Sequence, residues 1–101
     1  MNSCLLSGRL THDPAYTVRN GLAICRLKLR VDRQKKREGR VEAVPFEVEV
    51  SVFGASAEHT SNAVLRGSRI TVRGRLDPYQ AANGALRVAL VADELVWETL
   101  A

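Results

Sequence analysis

The chain has 101 residues, of which 46% are hydrophobic and 26% charged, so it has room for one domain with a modest core and not for two. The net charge is +4, and arginine supplies twelve of the fifteen basic residues, which favours an anionic partner such as nucleic acid. Two cysteines exclude a disulfide framework and a four-cysteine zinc site, and no apolar run reaches the length of a membrane span. The N-terminus also lacks a signal peptide, so we expect a reducing, cytoplasmic location.

Alternation of apolar and polar residues predicts two strands in the first third of the chain. The first covers residues 3–10 and ends at His12-Asp13-Pro14. Asn20-Gly21 is a hairpin-turn signal and leads into the second strand, residues 22–31. Three successive outward positions on this second strand are basic. We call them the basic stripe: Arg26, Lys28 and Arg30.

The middle of the chain predicts a basic loop and a third strand. Residues 32–42 are charged and lack an apolar period, so we expect an exposed loop there. Three cations of this loop are candidates for phosphate contact: Lys35, Lys36 and Arg37. The third strand begins at Pro45 and ends before Gly54, with Phe46 facing the core and Phe53 facing outward.

The last part of the chain predicts one short helix and two strands. The helix is expected at residues 55–65, with Ser56 as N-cap and Gly67 as the C-terminal stop. The fourth strand, residues 67–76, presents three outward arginines: Arg69, Arg73 and Arg75. A loop at residues 77–84 carries Tyr79 and precedes the fifth strand, residues 85–92. Apolar residues expected to face inward on the fifth strand are Leu86, Val88 and Leu90, and those expected to remain outward towards the C-terminus are Val91, Val96 and Trp97.

This order of elements predicts an all-β OB-fold, a five-stranded Greek-key barrel with one short helix between strands three and four. We therefore expect residues 1–101 to form a single OB-fold domain. In this fold the second and third strands, with the loops between strands one and two and between four and five, form the ligand face. The basic stripe would lie on that face.

Several outward side chains are candidates for binding nucleic acid, and each has an alternative role. The basic stripe could contact phosphates or form a cross-strand salt ladder with Glu47 and Glu49. Phe53 and Tyr79 could stack on bases, but Phe53 could instead be buried under the helix or at an oligomer interface. Tyr79 could simply be solvated. No catalytic or metal-ligand pattern surrounds the two histidines, so we expect no enzyme activity, metal or cofactor.

Several segments resemble bacterial single-stranded DNA-binding proteins: residues 2–10, Asp13-Pro14, Asn20-Gly21, Val52-Phe53-Gly54 and residues 67–74. Within this family the likeness is greatest to the branch of primosomal replication protein n (PriB), whose pattern matches residues 21–25, 67–74 and 83–95. Two departures stand out. Pro45 occupies the position of a base-stacking tryptophan of the family. In the loop between strands four and five, Gln80 and Ala82 stand where the branch has lysines, and only Arg87 keeps a positive charge.

The resemblance implies a homodimer that binds single-stranded DNA without sequence preference and helps to assemble the replication-restart primosome. Its implied partners are the restart helicase PriA and the loader protein DnaT. The departures predict weak to moderate binding with a steep salt dependence. Two alternatives stay open: a truncated general single-stranded DNA-binding protein, normally a tetramer, and an OB-fold protein-interaction module with little DNA binding.

Overall fold

The computed structural model describes residues 1–98. Within them it has the elements β1 (Cys4–Leu10), β2 (Ala15–Arg19), β3 (Leu22–Arg37), β4 (Arg40–Phe53), α1 (Ala55–Ala63), β5 (Arg69–Gln80) and β6 (Leu86–Glu98). The helix begins where it was predicted, but its N-cap is Gly54 with a φ of 78° and no side-chain cap, so the assignment of Ser56 as N-cap is wrong. It ends at Ala63 with Val64 as an extended C-cap, so Gly67 is not its C-terminal stop either. No helix within residues 1–98 has the length and apolar character needed to cross a membrane.

Five of the strands form a barrel in the order β1-β5-β6-β4-β3, and β1 also pairs with β3. Long antiparallel ladders join β3 to β4 and β5 to β6. Two much shorter pairings close the barrel: β1 meets β3 at Arg9 and Leu10, and β4 runs parallel to β6 at Val50 and Ser51. This unevenly closed barrel confirms the OB-fold prediction.

A sixth strand was missed. β2 covers Ala15–Arg19 and pairs with the first residues of β3 at the edge of the sheet. Asn20 and Gly21 form the connecting turn, with φ angles of 52° and 79°, which is the conformation that joins strands through two residues. The turn was recognised from the sequence, but all five residues of β2 are exposed and therefore show no apolar alternation.

The interior of the barrel is filled by the apolar residues that the alternation placed inward. The largest fully buried side chains are Leu10, Leu27, Leu29, Val50, Val64, Ile70, Val72, Leu90 and Cys25. Helix α1 packs against β3 and β4 and adds Ala57 to this core. Burial raises the pKa of the Cys25 thiol, which suits a packing residue rather than a reactive one.

Two hairpins extend beyond this core, in places expected to be loops. Residues 32–42 belong to β3 and β4 apart from the turn Glu38-Gly39, whose φ angles are 52° and 76°. Residues 77–80 likewise belong to β5. We call residues 32–45 the arm. Every residue of the arm is exposed, so neither of its faces has the apolar period by which a half-buried strand is recognised.

Because the hairpins extend beyond the core, several apolar side chains are less buried than predicted. Leu86 and Val88 lie on the inward-facing side of β6 but are 77% and 56% exposed. Phe46 is 41% exposed for the same reason, since its partner in the register is Val31 at the base of the arm. The predicted direction of these residues was sound, but the core ends before it reaches them.

Two residues expected to lie outward are instead covered. Val91 is 8% exposed because it pairs with Ser51 where β4 and β6 run side by side. Trp97 lies in β6 rather than in an extension, packs partly against the core, and holds its ring centroid 5.5 Å from that of His59. The chain itself therefore supplies part of the cover that these side chains need.

Candidate nucleic-acid interface

The basic stripe lies on the outer face of β3, opposite polar residues of β4. Arg26 faces Ser51, Lys28 faces Glu49, and Arg30 faces Glu47. Directly opposite residues of an antiparallel pair project from the same face, so the predicted alignment of cations and carboxylates is present.

The salt ladder that this alignment could form is absent from residues 1–98. Neither Arg26 nor Lys28 has a carboxylate oxygen within 4.0 Å of its charged nitrogens in this part of the chain. Arg30 instead meets its neighbour Asp32, with 3.5 Å between Nε and Oδ1. The first two cations of the stripe therefore remain available to an external anion.

A groove separates the stripe from the β5–β6 hairpin. Its floor is made of small or branched residues that are almost fully buried: Ser51, Ala89 and Val91, with exposed fractions of 7%, 5% and 8%. Its rims carry Arg26, Phe53 and Tyr79. The groove encloses about 260 Å³.

A hydrogen bond joins Tyr79 to Glu49 across the groove. The Tyr79 hydroxyl donates this hydrogen bond to Oε2 of Glu49. This hydrogen bond raises the pKa of Tyr79, since the carboxylate favours the protonated phenol; desolvation adds to the effect and Arg87 opposes it. Glu49, for which the sequence analysis left pairing with a cation open as an alternative, instead accepts a hydrogen bond from Tyr79.

Arg87 lies opposite Tyr79 in the β5–β6 register and borders a shallow extension of the groove together with Lys28 and Glu47. Phe53 is 41% exposed and lies at the other end, opposite Ile24. It also lines a second cleft that includes Ser56 of α1 and Trp97, so Phe53 lies between the groove and the helix.

The fold thus brings together five predicted site residues around one groove: Arg26, Lys28, Phe53, Tyr79 and Arg87. Arg30 continues the stripe along β3. Lys35, Lys36 and Arg37 lie apart, near the tip of the arm. At about 3.3 Å per residue, Lys36 is roughly 20 Å beyond Arg30 along the strand.

Residues 1–98 hold no group of three or more His, Cys, Asp or Glu side chains placed to bind a metal ion. The groove instead offers cations, aromatic rings and one hydrogen-bonded carboxylate. The contact that sequence reasoning missed is the one between Glu49 and Tyr79. The two residues are 30 positions apart, so no local pattern could have shown it.

Comparison with known proteins gives this surface its context. Residues 1–98 match the single-strand binding protein family. This chain belongs to that family. The match spans the barrel, the groove and the arm, so the family assignment includes every element described above.

Three relatives within and around the family are informative. "Single-stranded DNA-binding protein 2" of Clostridium acetobutylicum is 40% identical over 101 residues, covering 94% of this chain and 74% of the relative. "Single-stranded DNA-binding protein" of Clostridium tetani is 39% identical over 101 residues, covering 94% and 68%. "Replication restart protein PriB" of Pectobacterium atrosepticum is 25% identical over 96 residues, covering 94% and 91%. The predicted resemblance to the family is confirmed. The narrower likeness to PriB rests on the relative with the lowest identity of these three.

Solved structures of a family member confirm the fold. The wild-type single-stranded DNA binding protein from Thermus aquaticus superposes with a TM-score of 0.85 at 27% identity, over 98% of this chain. A deletion mutant of the same protein gives 0.89 at 28% identity, again over 98%. This chain spans about half the length of those chains, 50% and 51%.

Proposed function

We propose that this chain binds single-stranded DNA along the groove, as a binding protein and not as an enzyme, with residues 1–101 acting as one OB-fold domain. The observation that carries the proposal is the pair Arg26 and Lys28, which have no carboxylate partner within residues 1–98 and border the groove. Backbone phosphates would contact these cations while bases stack on Phe53 and Tyr79. Membership of the family supports this assignment.

The mode of binding follows from the chemistry of the groove. Cations and aromatic rings recognise the backbone and the flat faces of bases, which all four nucleotides share, so binding has no sequence preference. Pro45 offers no aromatic surface where a tryptophan was expected from the resemblance, and Glu47 and Glu49 reduce the positive potential of the stripe. We therefore expect weak to moderate affinity that depends steeply on salt.

A role in replication restart is the finer assignment that we propose within this function. Its support is the likeness to PriB, which extends over 91% of that protein, together with the matching segments noted in the sequence. In that role the chain would act as a homodimer and contact the restart helicase PriA and the loader DnaT.

A general single-stranded DNA-binding role is the competing assignment, favoured by the higher identity to the Clostridium acetobutylicum protein. The two assignments differ in assembly and partners. A dimer that binds PriA and DnaT supports restart, whereas a tetramer that binds neither supports the general role. Sedimentation analysis, with and without the purified partners, separates them.

The test of DNA binding is a titration of labelled oligo-dT at several salt concentrations, followed by fluorescence anisotropy. Replacing Arg26 and Lys28 by glutamine should flatten the slope of log affinity against log salt by about 1.4, since each phosphate contact on single strands contributes about 0.7. Replacing Phe53 by alanine should lower affinity with little change in slope, because stacking releases no counterions.

A matched control removes the same charge elsewhere. Arg73→Gln combined with Arg75→Gln also removes two positive charges. Both arginines lie on the outer face of β5 and are already paired with carboxylates of β6. This control should alter the slope much less. Parent-like binding by the Arg26/Lys28 variant at low salt would show that the groove is not the DNA site and would favour the protein-interaction alternative.

A further inference from the structure

Three arginines meet at the junction where β1 pairs with two other strands. Arg9 lies opposite Arg30 of β3 on one side and opposite Arg69 of β5 on the other. Side chains directly opposite one another project from the same face with Cβ atoms about 4.5–5.5 Å apart. All three residues are exposed, so their guanidinium groups share one outward-facing patch.

The charge of this patch is only partly neutralised. Asp32 reaches Arg30 at 3.5 Å, whereas Arg9 and Arg69 have no carboxylate oxygen within 4.0 Å in residues 1–98. Glu98 lies opposite Arg69 in the register without reaching that distance. Like charges placed directly across strands are destabilising, so the junction carries a surplus that an anion would relieve.

The same strand provides an internal comparison. Arg73 and Arg75 also lie on the outer face of β5, but each is paired: Arg73 with Glu94 at 2.8 Å, and Arg75 with Asp93 at 3.3 Å. The outer face of β5 therefore has a neutralised half, with Arg73 and Arg75, and a half in which Arg69 has no carboxylate partner within residues 1–98.

The junction is also concave. We call it the arginine cleft; it encloses about 470 Å³ and is lined by Ser7, Gly8, Arg9, Arg30, Asp32 and Arg69. Gly8 lets β1 approach β3 closely, since a Cβ there would lie 2.5 Å from the carbonyl oxygen of Arg30. Guanidinium groups donate paired N–H bonds whose spacing fits the oxygens of a phosphate.

We propose that the arginine cleft binds backbone phosphates of single-stranded DNA as a second contact surface beyond the groove. Arg30 belongs to both surfaces, as the last residue of the basic stripe and as one wall of the cleft. A strand that follows the stripe past Lys28 to Arg30 would reach Arg9 and Arg69 next. This inference rests on the proposed DNA binding and extends its path around the barrel.

The test compares Arg9→Gln/Arg69→Gln with Arg73→Gln/Arg75→Gln, two variants that remove equal charge from the same outer face. Each is titrated with a short and a long oligo-dT, of about 4 and about 16 nucleotides, the two ends of the site sizes known for OB-folds. The Arg9/Arg69 variant should flatten the salt slope for the long strand by about 1.4, equivalent to roughly 25-fold weaker binding at 0.1 M salt. It should bind the short strand like the parent.

Thermal unfolding and light scattering accompany the titrations. Both arginines are exposed and lie among like charges, so we expect the Arg9/Arg69 variant to keep the mass of the parent and to melt at a temperature no lower than the parent's. An unchanged slope with the long strand overturns the proposal, and the proposed function still stands if the Arg26/Lys28 variant has lost binding. A change of mass also overturns it, because the cleft would then be a contact between copies of the chain. If neither the Arg9/Arg69 variant nor the Arg26/Lys28 variant weakens binding, the arginine-cleft proposal and the proposed function both fail.

Discussion

A side-chain hydrogen bond between Tyr79 and Glu49 crosses the groove and links two segments that are distant in the chain. The bond holds the phenol ring at the rim and occupies a carboxylate that would otherwise lie opposite Lys28 without a partner. Lys28 forms no ion pair within residues 1–98, so a DNA strand entering the groove would meet a free cation there and could stack on the ring that Glu49 positions. The pair therefore makes the aromatic rim depend on an acidic residue.

Replacing Glu49 by glutamine should lower the pKa of Tyr79 towards the value of about 10 of a free tyrosine. The raised pKa has the hydrogen bond to the carboxylate as its main cause, and glutamine removes both the carboxylate and its charge. Phenolate absorbance measured against pH reports the change, with Tyr79→Phe identifying the transition. Glu47→Gln, two residues along the same face, is the control and should leave the titration unchanged.

The raised pKa of Tyr79 also predicts that the stability of the chain depends on pH. The pKa of Tyr79 is higher in the folded chain than in the unfolded one, so the folded chain holds the phenol proton up to a higher pH. The stabilisation from this group is therefore complete below about pH 10, the pKa of an unfolded tyrosine, and is lost as pH rises through the folded pKa. Denaturation at increasing pH should show the parent losing its advantage over Tyr79→Phe in that alkaline window. A constant difference between the two proteins would contradict the contact.

Gly74 is a residue at which the barrel tolerates no side chain. A Cβ there would lie 1.9 Å from the carbonyl oxygen of Val91, and the register of β5 and β6 shifts between Arg73 and Gly74. Gly74→Ala should destabilise the chain by about 3 kcal/mol, the upper part of the range for overpacking, because the clash is with backbone. Urea denaturation measures this. Thr71→Ala, an exposed position of the same strand, should change the free energy of unfolding far less.

At the scale of elements, the arm is the feature with the least obvious structural purpose. It extends β3 and β4 beyond the core, buries no apolar side chain, and carries cations near its turn. Its backbone ladder runs without a break to Arg37 and Arg40, so it is a paired hairpin and not an irregular loop. A hairpin of this kind can reach a DNA strand that has passed the groove.

Replacing Lys35, Lys36 and Arg37 together by glutamine should weaken binding of long oligo-dT and flatten its salt slope. Short strands that occupy only the groove should bind almost as before, because the tip lies roughly 20 Å beyond Arg30. The melting temperature should not change, since these side chains are exposed. Equal losses for short and long strands would mean that the arm acts through the general charge of the protein rather than by contact.

At the scale of the whole molecule, most of one edge of β1 is left unpaired within residues 1–98. β1 pairs with β5 from Cys4 to Arg9, but within residues 1–98 it meets β3 only at Arg9 and Leu10. Leu5, 68% exposed, lies on this strand, and Val96, 59% exposed, lies on the same outer face in β6. An open edge beside exposed apolar residues favours pairing with a second copy of the chain.

We therefore predict that the chain is a dimer at micromolar concentration. Leu5→Lys should shift the mass measured by light scattering towards that of a monomer, since it places a charge beside the open edge. Leu65→Lys is the matched control: Leu65 is 63% exposed but lies outside the β1 edge, so the mass should not change. A parent protein that runs as a monomer would overturn the prediction.

Local alternation determined most of what the sequence alone could establish about this protein. The inward residues Leu27, Leu29, Ile70 and Val72 and the outward basic stripe follow from a side-chain period of two, which depends only on neighbouring residues. Local cap and turn signals predicted the helix, although with Ser56 in place of Gly54 as its N-cap, as well as the turn at Asn20-Gly21 and the end of the third strand before Gly54. Alternation failed for β2 and for the arm, because strands exposed on both faces carry no apolar period.

Tertiary structure decided which of these faces meet. Register and barrel closure place Tyr79 against Glu49, cover Val91 beside Ser51, and set Arg9 between Arg30 and Arg69. Each of these contacts joins segments at least 20 residues apart. Gly8 permits the close approach to Arg30, and Gly74 permits the close approach to Val91. A one-dimensional pattern records the direction of a side chain but not its distant neighbour. The groove and the arginine cleft are therefore products of packing, although the direction of every cation that lines them follows from alternation.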